Sequence, residues 1–215
     1  MRVIAMCNEF ARSGARRIRN ERSFFMRLLE EKILQDAQIL PRNILKVDSF
    51  LNHQVDPQLM MAMGQDMADH FATSGATKVL TLEVSGITLA MAAAFYLRVP
   101  MIFAKKIASV TLTHDVYSSV VESYTKKRSY EIKVDKQFLT PDDKVLIVDD
   151  FLATGAALKG LTNICEQAGA AVVGYGIAIE KVFQTGGNRL RELGFDVYSQ
   201  ARISEFVDGS VKFEH

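Results

Sequence analysis

From Met26 onward, short apolar runs alternate with segments whose apolar residues recur at helical spacing. Runs with the length and continuous hydrophobicity of buried strands are TKVLTLEV, PMIFAKK, KVLIVDD, AAVVGYGIAIEK and FDVYSQARI. Helices are predicted between them, the clearest being GITLAMAAAFYL and the segment from Thr154 to Ala168. Because single helices separate successive strands, the pattern predicts an α/β fold with an open, mostly parallel twisted sheet flanked by helices.

A smaller N-terminal segment precedes this alternation. The helical pattern MRLLEEKILQDA starts at Met26, and the later run ILKVDSF alternates apolar and polar residues as a strand does. Asp56 followed by Pro57 predicts the capped start of the next helix. We therefore expect a small N-terminal hood over about residues 26–55 and a core over about residues 56–215, which together form one domain.

Residues 1–25 differ from the rest, because they carry six arginines and show neither helical nor strand period. An Arg-rich, acid-poor stretch also fits a mitochondrial-type targeting peptide. Codons for Glu21–Ser23 can contain a bacterial ribosome-binding sequence a short distance upstream of Met26, which favours a different interpretation. We expect residues 1–25 to be a basic leader, disordered or not translated natively, and the functional domain to span residues 26–215.

This expectation concerns the initiator. If translation starts at Met26, protein isolated from its own host will begin at that residue, and the preceding residues will be dispensable for activity. Intact-mass measurement decides the matter, and a mass that includes residues 1–25 would contradict the prediction.

Composition narrows the class of protein. The chain is 48% hydrophobic and 24% charged with a net charge of +1, so its global charge indicates neither a nucleic-acid nor a membrane-surface partner. Its sequence contains no apolar run long enough to span a bilayer and no secretory signal at the N-terminus. The two cysteines, Cys7 and Cys165, form no CxxC or Cys/His cluster, which favours a cytoplasmic location and argues against a structural zinc site.

Candidate chemistry is concentrated in VLIVDDFLATGAAL, where a buried strand ends in Asp149 and Asp150 and continues into a turn of small residues. Ligands of open parallel sheets bind at the carboxyl ends of the strands. The turn leads into a helix, whose first backbone N–H groups lack intrahelical partners and attract phosphate. Two carboxylates beside a phosphate site suit a ligand that also presents vicinal hydroxyls or a metal, such as a ribose 5-phosphate.

A structural interpretation of the same residues stays open. The two acids can cap the following helix, and the small residues can serve tight packing of that helix on the sheet. The motif is neither a Walker A loop, since no Gly-Lys-Ser/Thr follows, nor a GxGxxG dinucleotide fingerprint.

The strand, the two acids and the following Thr-Gly resemble the phosphoribosyl pyrophosphate signature of the type I phosphoribosyltransferase family. Further similarity lies in LKVDSFLNHQVDP and IEKVFQ and extends over nearly all of residues 26–215, most closely to bacterial members that act on xanthine. The chain departs from the common Thr-Gly-Gly-Thr run, since two alanines follow Gly155. Backbone donors survive this change, whereas a second hydroxyl does not.

The resemblance implies a type I phosphoribosyltransferase fold with a long flexible loop, and a reaction between xanthine and 5-phosphoribosyl-1-pyrophosphate assisted by Mg²⁺ in a homodimer. It assigns catalysis to Asp149 and Asp150, and the phosphoribosyl group to the turn Ala153, Thr154, Gly155, Ala156 and Ala157. Xanthine is assigned to Leu45, Asn52 and Lys181. Pyrophosphate is assigned to Ser85, Gly86 and Lys105.

Three neighbouring features fit this assignment less specifically. Residues 107–136 are polar and too long for a plain connector, so they resemble the family's catalytic loop. Phe183 can stack on the base but is more typical of a core or interface residue. His53 beside Asn52 is more typical of a surface or capping histidine than of an acid catalyst.

Other functions remain open at this point. A hypoxanthine/guanine transferase has the same donor site, but the pattern around Asn52 and Lys181 favours xanthine. A non-catalytic, purine-responsive regulator on this fold carries a DNA-binding domain, for which the segment from Met26 to Pro41 is too short. An RNA-binding attenuator needs a basic face interleaved with aromatic residues, which the sequence does not show.

Overall fold

A six-stranded sheet forms the centre of the protein, which a computed structural model describes over residues 18–106, 115–123 and 128–215. In chain order the strands are β1 (Gln38–Leu40), β2 (Ile44–Lys46), β3 (Lys78–Leu82), β4 (Met101–Ala104), β5 (Val116–Ser123), β6 (Arg128–Asp135), β7 (Lys144–Leu152), β8 (Ala171–Lys181), β9 (Val197–Val207) and β10 (Ser210–Phe213). The α-helices are α1 (Ile18–Asp36), α2 (Pro57–His70), α3 (Gly86–Leu97), α4 (Ala156–Ala168) and α5 (Thr185–Glu192). Two short turns complete the elements, π-helical at Asp48–Asn52 and 3₁₀ at Lys136–Phe138.

The central sheet has the strand order β10-β9-β8-β7-β3-β4. All neighbours are parallel except β10, which pairs antiparallel with β9. This arrangement confirms the predicted open, mostly parallel α/β sheet. The pattern did not predict β10, because the strand has only four residues and only two of them are apolar. Asp208 and Gly209, both with positive φ, make the tight turn that leads into it.

Helices cover both faces of the sheet, and the alternation along β7 shows why. Leu146 and Val148 point into one buried cluster, which contains residues of α1, α2 and α3. Val145 and Ile147 point into a second cluster, which contains residues of α4 and of the β5–β6 hairpin. Successive side chains of a strand face opposite sides, so a continuous apolar run needs cover on both. Strand β7 therefore carries polar residues only at its start, Lys144, and near its end, Asp149 and Asp150.

The N-terminal segment folds as helix α1, the short β1–β2 hairpin and the π-helical turn. Helix α1 begins at Ile18 rather than at Met26, because no glycine or proline separates the two positions and nothing interrupts the helix. The earlier part of the predicted leader, residues 1–17, lies outside the described residues. The predicted strand ILKVDSF is a strand only over Ile44–Lys46, since its partner β1 has just three residues.

The predicted start of helix α2 is confirmed. The Asp56 carboxylate accepts hydrogen bonds from the backbone N–H of Gln58 at 3.0 Å and of Leu59 at 3.1 Å, and Pro57 occupies the first helical position. These contacts satisfy two of the N–H groups that a helix start leaves without partners.

The segment predicted as a long flexible loop contains an antiparallel hairpin, β5–β6, which packs on helix α4. Lys105, just after β4, exchanges backbone hydrogen bonds with Lys133 of β6 at 2.9 and 3.0 Å, so the hairpin is joined to the edge of the central sheet. Residues 107–114 and 124–127 of the predicted catalytic loop lie outside the described residues. No helix in the described part of the chain is long and apolar enough to cross a membrane.

Candidate active site

Two adjacent carboxylates lie at the end of β7, as the sequence predicts for Asp149 and Asp150. Asp149 is in register with Ile177 of β8, at the carboxyl edge of the parallel strands. Both residues are largely buried, with exposed fractions of 6% and 9%. The Asp149 carboxylate accepts a hydrogen bond from the backbone N–H of Asp150 at 3.0 Å. Strand β7 therefore holds two acids together in a poorly solvated position.

Burial raises the pKa of Asp149 well above its ordinary range, and the neighbouring charge of Asp150 raises it further. The charge of Lys106 acts in the opposite direction. Two like charges in a poorly solvated place favour a shared proton, a cation or hydroxyl donors as partners. The two carboxyl groups suit a sugar that presents vicinal hydroxyls together with a phosphate-bound Mg²⁺. No group of three or more acidic, His or Cys residues able to hold a metal occurs among the described residues.

The turn after β7 has the predicted geometry of an anion-binding loop. Gly155 has φ +80°, a left-handed conformation that favours glycine, and helix α4 begins at the next residue. No side chain caps this helix, and its first intrahelical bond runs from Lys159 N–H to Gly155 C=O at 2.9 Å. The N–H groups of the first turn are therefore available to a ligand, as are those of many phosphate-binding helices.

This loop forms one wall of a cleft of about 380 Å³. Its lining residues are Val121, Glu122, Tyr130, Phe151, Ala153, Thr154, Gly155, Ala156, Ala157, Leu158, Lys181 and Gln184. The structure thus brings the predicted phosphoribosyl turn and the predicted base-binding lysine into one cavity. Val121, Glu122 and Tyr130 of the β5–β6 hairpin line another side of the cleft.

The loop between β3 and α3 lies directly beside the acidic pair. A Cβ atom added to Gly86 would overlap Thr81 Oγ1 and would lie 3.2 Å from Asp149 Oδ1, so only glycine permits this close approach. Helix α3 starts at Gly86 with no side-chain cap from Ser85. The structure therefore places Gly86, one of the predicted pyrophosphate residues, next to the Asp149 carboxyl group.

Of the two lysines after β4, Lys106 is the one that faces this site. Its backbone N–H donates to Glu83 Oε1 at 2.6 Å, its Nζ lies 5.4 Å from the centre of the Tyr130 ring, and its charge lowers the pKa of Asp149. Lys105, which the resemblance assigned to pyrophosphate, is held through its backbone by β6. No contact of the Lys105 side chain with the acidic pair is seen in the described part of the chain.

Lys181 ends strand β8 at the same sheet edge. Its Nζ donates a hydrogen bond to the backbone carbonyl of Asn43 in the N-terminal hairpin at 3.1 Å and lies 5.4 Å from the centre of the Phe206 ring. Burial lowers the pKa of this amine, which disfavours its charged form. An acceptor with negative charge would restore that form, so the position suits an electron-rich ligand edge.

The two hood residues predicted to bind the base differ in their surroundings. Asn52 is half-buried at the end of the π-helical turn, and its Oδ1 has no hydrogen-bond partner among the described residues. An orphaned amide oxygen is costly unless a ligand or water supplies a donor. Leu45 is 7% exposed and its side chain belongs to the core cluster under α1 and α2, so the structure does not place this side chain in the cleft.

Three other residues that the sequence places near this edge of the sheet lie outside the cleft. Glu180, before Lys181, accepts two hydrogen bonds from the Arg191 guanidinium at 2.6 and 2.7 Å, so its charge is neutralised. Phe183 is 48% exposed and makes an edge contact with Phe206, with ring centres 5.9 Å apart. His53 is exposed in the hood. None of these three side chains lines the cleft.

Sequence reasoning missed several lining residues, above all Tyr130, Phe151 and Gln184. Tyr130 of β6 is half-buried, and its pKa is raised by burial first and by the negative charge of Asp149 second. The only sequence signal is the polar segment that contains it, and the hairpin register that turns Tyr130 toward the cleft is not readable from that segment. Phe151 directly follows the two acids, so its proximity was implicit in the motif.

Comparisons with known proteins agree with this geometry. The family described as "Phosphoribosyl transferase domain" matches residues 54–190. The chain therefore belongs to the phosphoribosyltransferase family, which confirms the resemblance inferred from the motif.

Among named relatives, the xanthine phosphoribosyltransferase of Brevibacillus brevis is 53% identical over 188 residues, covering 87% of this chain and 96% of the relative. The xanthine phosphoribosyltransferase of Lactobacillus delbrueckii is 51% identical over 188 residues, which is 87% of this chain and 100% of the relative. The similarity to these proteins therefore spans their whole length rather than one motif.

Solved structures give the same fold at lower identity. An adenine phosphoribosyltransferase from Rhodothermus marinus superposes with a TM-score of 0.68 at 21% identity, covering 84% of this chain and 99% of that one. An adenine phosphoribosyltransferase from Trypanosoma brucei, in complex with AMP, pyrophosphate and ribose-5-phosphate, gives 0.67 at 17% identity, covering 85% and 83%. These likenesses confirm the predicted fold class.

Proposed function

We propose that this protein catalyses transfer of the phosphoribosyl group from 5-phosphoribosyl-1-pyrophosphate to xanthine, which releases pyrophosphate and forms xanthosine 5′-monophosphate in purine salvage. One observation carries the proposal: the open N-terminus of α4 and Lys181 line one cleft, and the acidic pair lies in β7 immediately before the lining residue Phe151, at the carboxyl edge of the sheet. Relatives about 50% identical over nearly their whole length, named xanthine phosphoribosyltransferase, support it.

The donor occupies the β7 side of the cleft. Its 5′-phosphate accepts hydrogen bonds from the backbone N–H groups at the start of α4, with the small residues from Ala153 to Ala157 allowing close approach. The Thr154 hydroxyl adds a donor. The ribose hydroxyls donate to Asp149 and Asp150, which relieves the repulsion between two carboxyl groups in a buried position.

The leaving pyrophosphate is placed on the β3–α3 side. The backbone N–H groups of Ser85 and Gly86 are the donors assigned to it, since Gly86 lies next to the Asp149 carboxyl group, and the Lys106 amine supplies positive charge to the same region. Mg²⁺, when bound, neutralises the charge that develops on the pyrophosphate. No group of three or more ligand side chains occurs in the described part of the chain, which fits a metal carried mainly by the substrate's own phosphates.

The base binds between Lys181 and the hood. Xanthine carries a 2-oxo group and loses a ring proton near neutral pH, so a lysine amine whose charge burial disfavours gains from this acceptor. Asn52 accepts a ring N–H with the amide oxygen that has no partner among the described residues. The geometry gives Leu45 at most a backbone role.

The proposed transfer requires no covalent intermediate between the enzyme and the ribose. Departure of pyrophosphate leaves positive character on the ribose, which the two carboxyl groups stabilise, and the base nitrogen captures the same carbon. Water would capture that carbon as well, so the cleft has to be closed during the reaction. The β5–β6 hairpin, which already contributes Val121 and Tyr130 to the cleft, is the element positioned to exclude it.

The decisive experiment is an assay of the purified protein with each purine base, the phosphoribosyl donor and Mg²⁺. We expect turnover with xanthine to exceed turnover with hypoxanthine, guanine and adenine. A preference for hypoxanthine or guanine would favour the alternative transferase. Binding of the donor without turnover of any base would favour a non-catalytic regulator.

We also propose that the functional unit is a homodimer. Exposed apolar side chains occur on α3, at Met91 and Phe95, on the edge strand β4, at Phe103, and in the loop before α3, at Val84. Exposed apolar surface of this kind marks contacts between proteins, and here it lies on neighbouring elements at one edge of the sheet. Sedimentation should show a dimer that Phe95→Asp converts to a monomer, and a monomeric parent protein would contradict the proposal.

A further inference from the structure

Helix α5 begins directly against the phosphoribosyl turn. The backbone N–H of Gly186 donates a hydrogen bond to the Ala153 carbonyl at 3.1 Å. A Cβ atom on Gly186 would lie 2.5 Å from that carbonyl oxygen and 2.7 Å from both Gly155 N and Thr154 C. A Cβ atom on Gly155 would in turn lie 3.3 Å from Gly186 Cα. The two backbones are therefore in contact with no side chain between them.

Helix α5 is itself fixed to the sheet on its other side. The Arg191 guanidinium makes two hydrogen bonds, of 2.6 and 2.7 Å, to the Glu180 carboxylate, which is 1% exposed. A Cβ atom on Gly187 would overlap Glu180 Oε1, so the helix lies as close to β8 as to the turn. A buried carboxylate held by two charge-assisted hydrogen bonds resists displacement of its partner. Helix α5 is thus fixed to β8 on one side and contacts the turn at residues 153–155 on the other.

We infer that Gly186 is a positioning residue that keeps the Ala153–Gly155 turn in the conformation that binds the 5′-phosphate. This inference rests on the proposed function, because it assigns the turn to the phosphoribosyl donor. Gly186 is absent from the cleft lining and acts through the turn. The turn is open to the cleft on one side, so its position depends on the contact made from the other.

The size of the effect follows from the missing space. A methyl group at Gly186 has to push the Ala153 carbonyl away until ordinary contact is reached, which moves the turn by about 1 Å, and displacements of this size cost about a hundredfold where donors must be preorganised. The movement affects the N–H groups that meet the 5′-phosphate. The base site, formed by Lys181 and the hood, is held by other contacts.

The test is Gly186→Ala. We expect KM for 5-phosphoribosyl-1-pyrophosphate to rise at least tenfold, while KM for xanthine and kcat at saturating donor change less than threefold. Calorimetry with ribose 5-phosphate, which lacks the pyrophosphate, should show the same loss of binding. Arg191→Lys keeps a positive charge beside Glu180 but loses the paired hydrogen bonds that fix α5, and it leaves the residues of the turn unchanged. It should act in the same direction with a smaller effect, which keeps the inference testable if Gly186→Ala does not fold.

Gly174→Ala is the matched control. Its added methyl group would lie 2.5 Å from Phe71 Cε1, at the opposite end of β8, so it should lower Tm without changing KM for the donor. A folded Gly186→Ala protein that binds ribose 5-phosphate as the parent does would overturn the inference alone. An equal rise of KM in Gly174→Ala would overturn it too, because the effect would then be general destabilisation. A parent protein that binds neither donor nor ribose 5-phosphate would overturn the inference together with the proposed function.

Discussion

Lys181→Ala is expected to lower kcat/KM for xanthine by about ten- to a hundred-fold, because a hydrogen bond to a charged group contributes about 1.5–3 kcal/mol. The lysine amine is half-buried and its pKa is lowered by that burial, so the base supplies a second acceptor beside the Asn43 carbonyl. Removing the amine leaves the xanthine oxygen, or the anionic ring, facing a partly desolvated pocket. Steady-state kinetics at saturating donor measures the loss.

Two comparisons make this result specific. The loss should be smaller for residual activity on hypoxanthine, which has one exocyclic oxygen and stays neutral near pH 7. Donor affinity, measured by calorimetry, should be nearly unchanged, because the donor lies on the acidic pair and the α4 turn. Phe183→Ala is the control, since this side chain is a close neighbour but lies outside the cleft.

The opposite pattern would remove the physical basis for xanthine specificity. If Lys181→Ala weakens the donor as much as the base, or reduces activity on both bases equally, the lysine only joins the hood to the sheet through Asn43. The substrate preference would then have to lie in other residues of the cleft.

Asp150→Asn is expected to reduce kcat by about a hundred- to a thousandfold, the range found when one preorganised electrostatic group is removed from an active site. The substitution keeps the shape of the side chain and the backbone N–H that donates to Asp149, so the local geometry survives. What is lost is negative charge next to the ribose when positive character develops there. Single-turnover kinetics at saturating donor and xanthine isolates this step.

Stability distinguishes this effect from a folding defect. The charge of Asp150 raises the pKa of Asp149, so its removal lowers that pKa toward the ordinary value. A carboxyl group whose folded pKa is raised destabilises the fold as pH rises through that pKa. Asp150→Asn should therefore have a higher Tm than the parent at neutral pH. The difference should vanish at pH values low enough to protonate these carboxyl groups in both the folded and the unfolded state.

A surface control completes the experiment. Asp142→Asn removes a carboxylate that is exposed beyond the opposite end of β7, so it should change neither kcat nor Tm appreciably. A fall of kcat in Asp150→Asn that is matched by a fall of Tm at neutral pH would contradict the assignment of Asp150 to the reaction.

The sequence was most informative where the residues of the candidate site are consecutive along the chain. The acids at 149–150 and the turn at 153–157 follow one another along the chain, so strand, turn and helix start could be predicted together. Central strands were equally clear, because burial on both faces demands a continuous apolar run. The hydrophobic pattern did not predict the short strand β10 or the start of α1, since these segments contain few apolar residues.

Contacts between distant segments could not be predicted in this way. Tyr130 reaches the cleft through the register of a hairpin, and Gly186 reaches the turn through the packing of α5. The Leu45 side chain shows the reverse case, because its place in a motif did not reveal that it points into the core. Periodicity specifies which elements form, whereas side-chain placement across elements depends on register and on close approach of backbones.

The hydrogen bond between Lys181 Nζ and the Asn43 carbonyl has a consequence for substrate affinity. An ammonium group carries three N–H donors, so the Asn43 carbonyl occupies one of them and fixes the direction in which the other two meet the base. The carbonyl belongs to a tight turn in which both Arg42 and Asn43 have positive φ. Substitutions in this remote turn can therefore tune the affinity for the base without touching it, since the turn orients the amine to which the base binds.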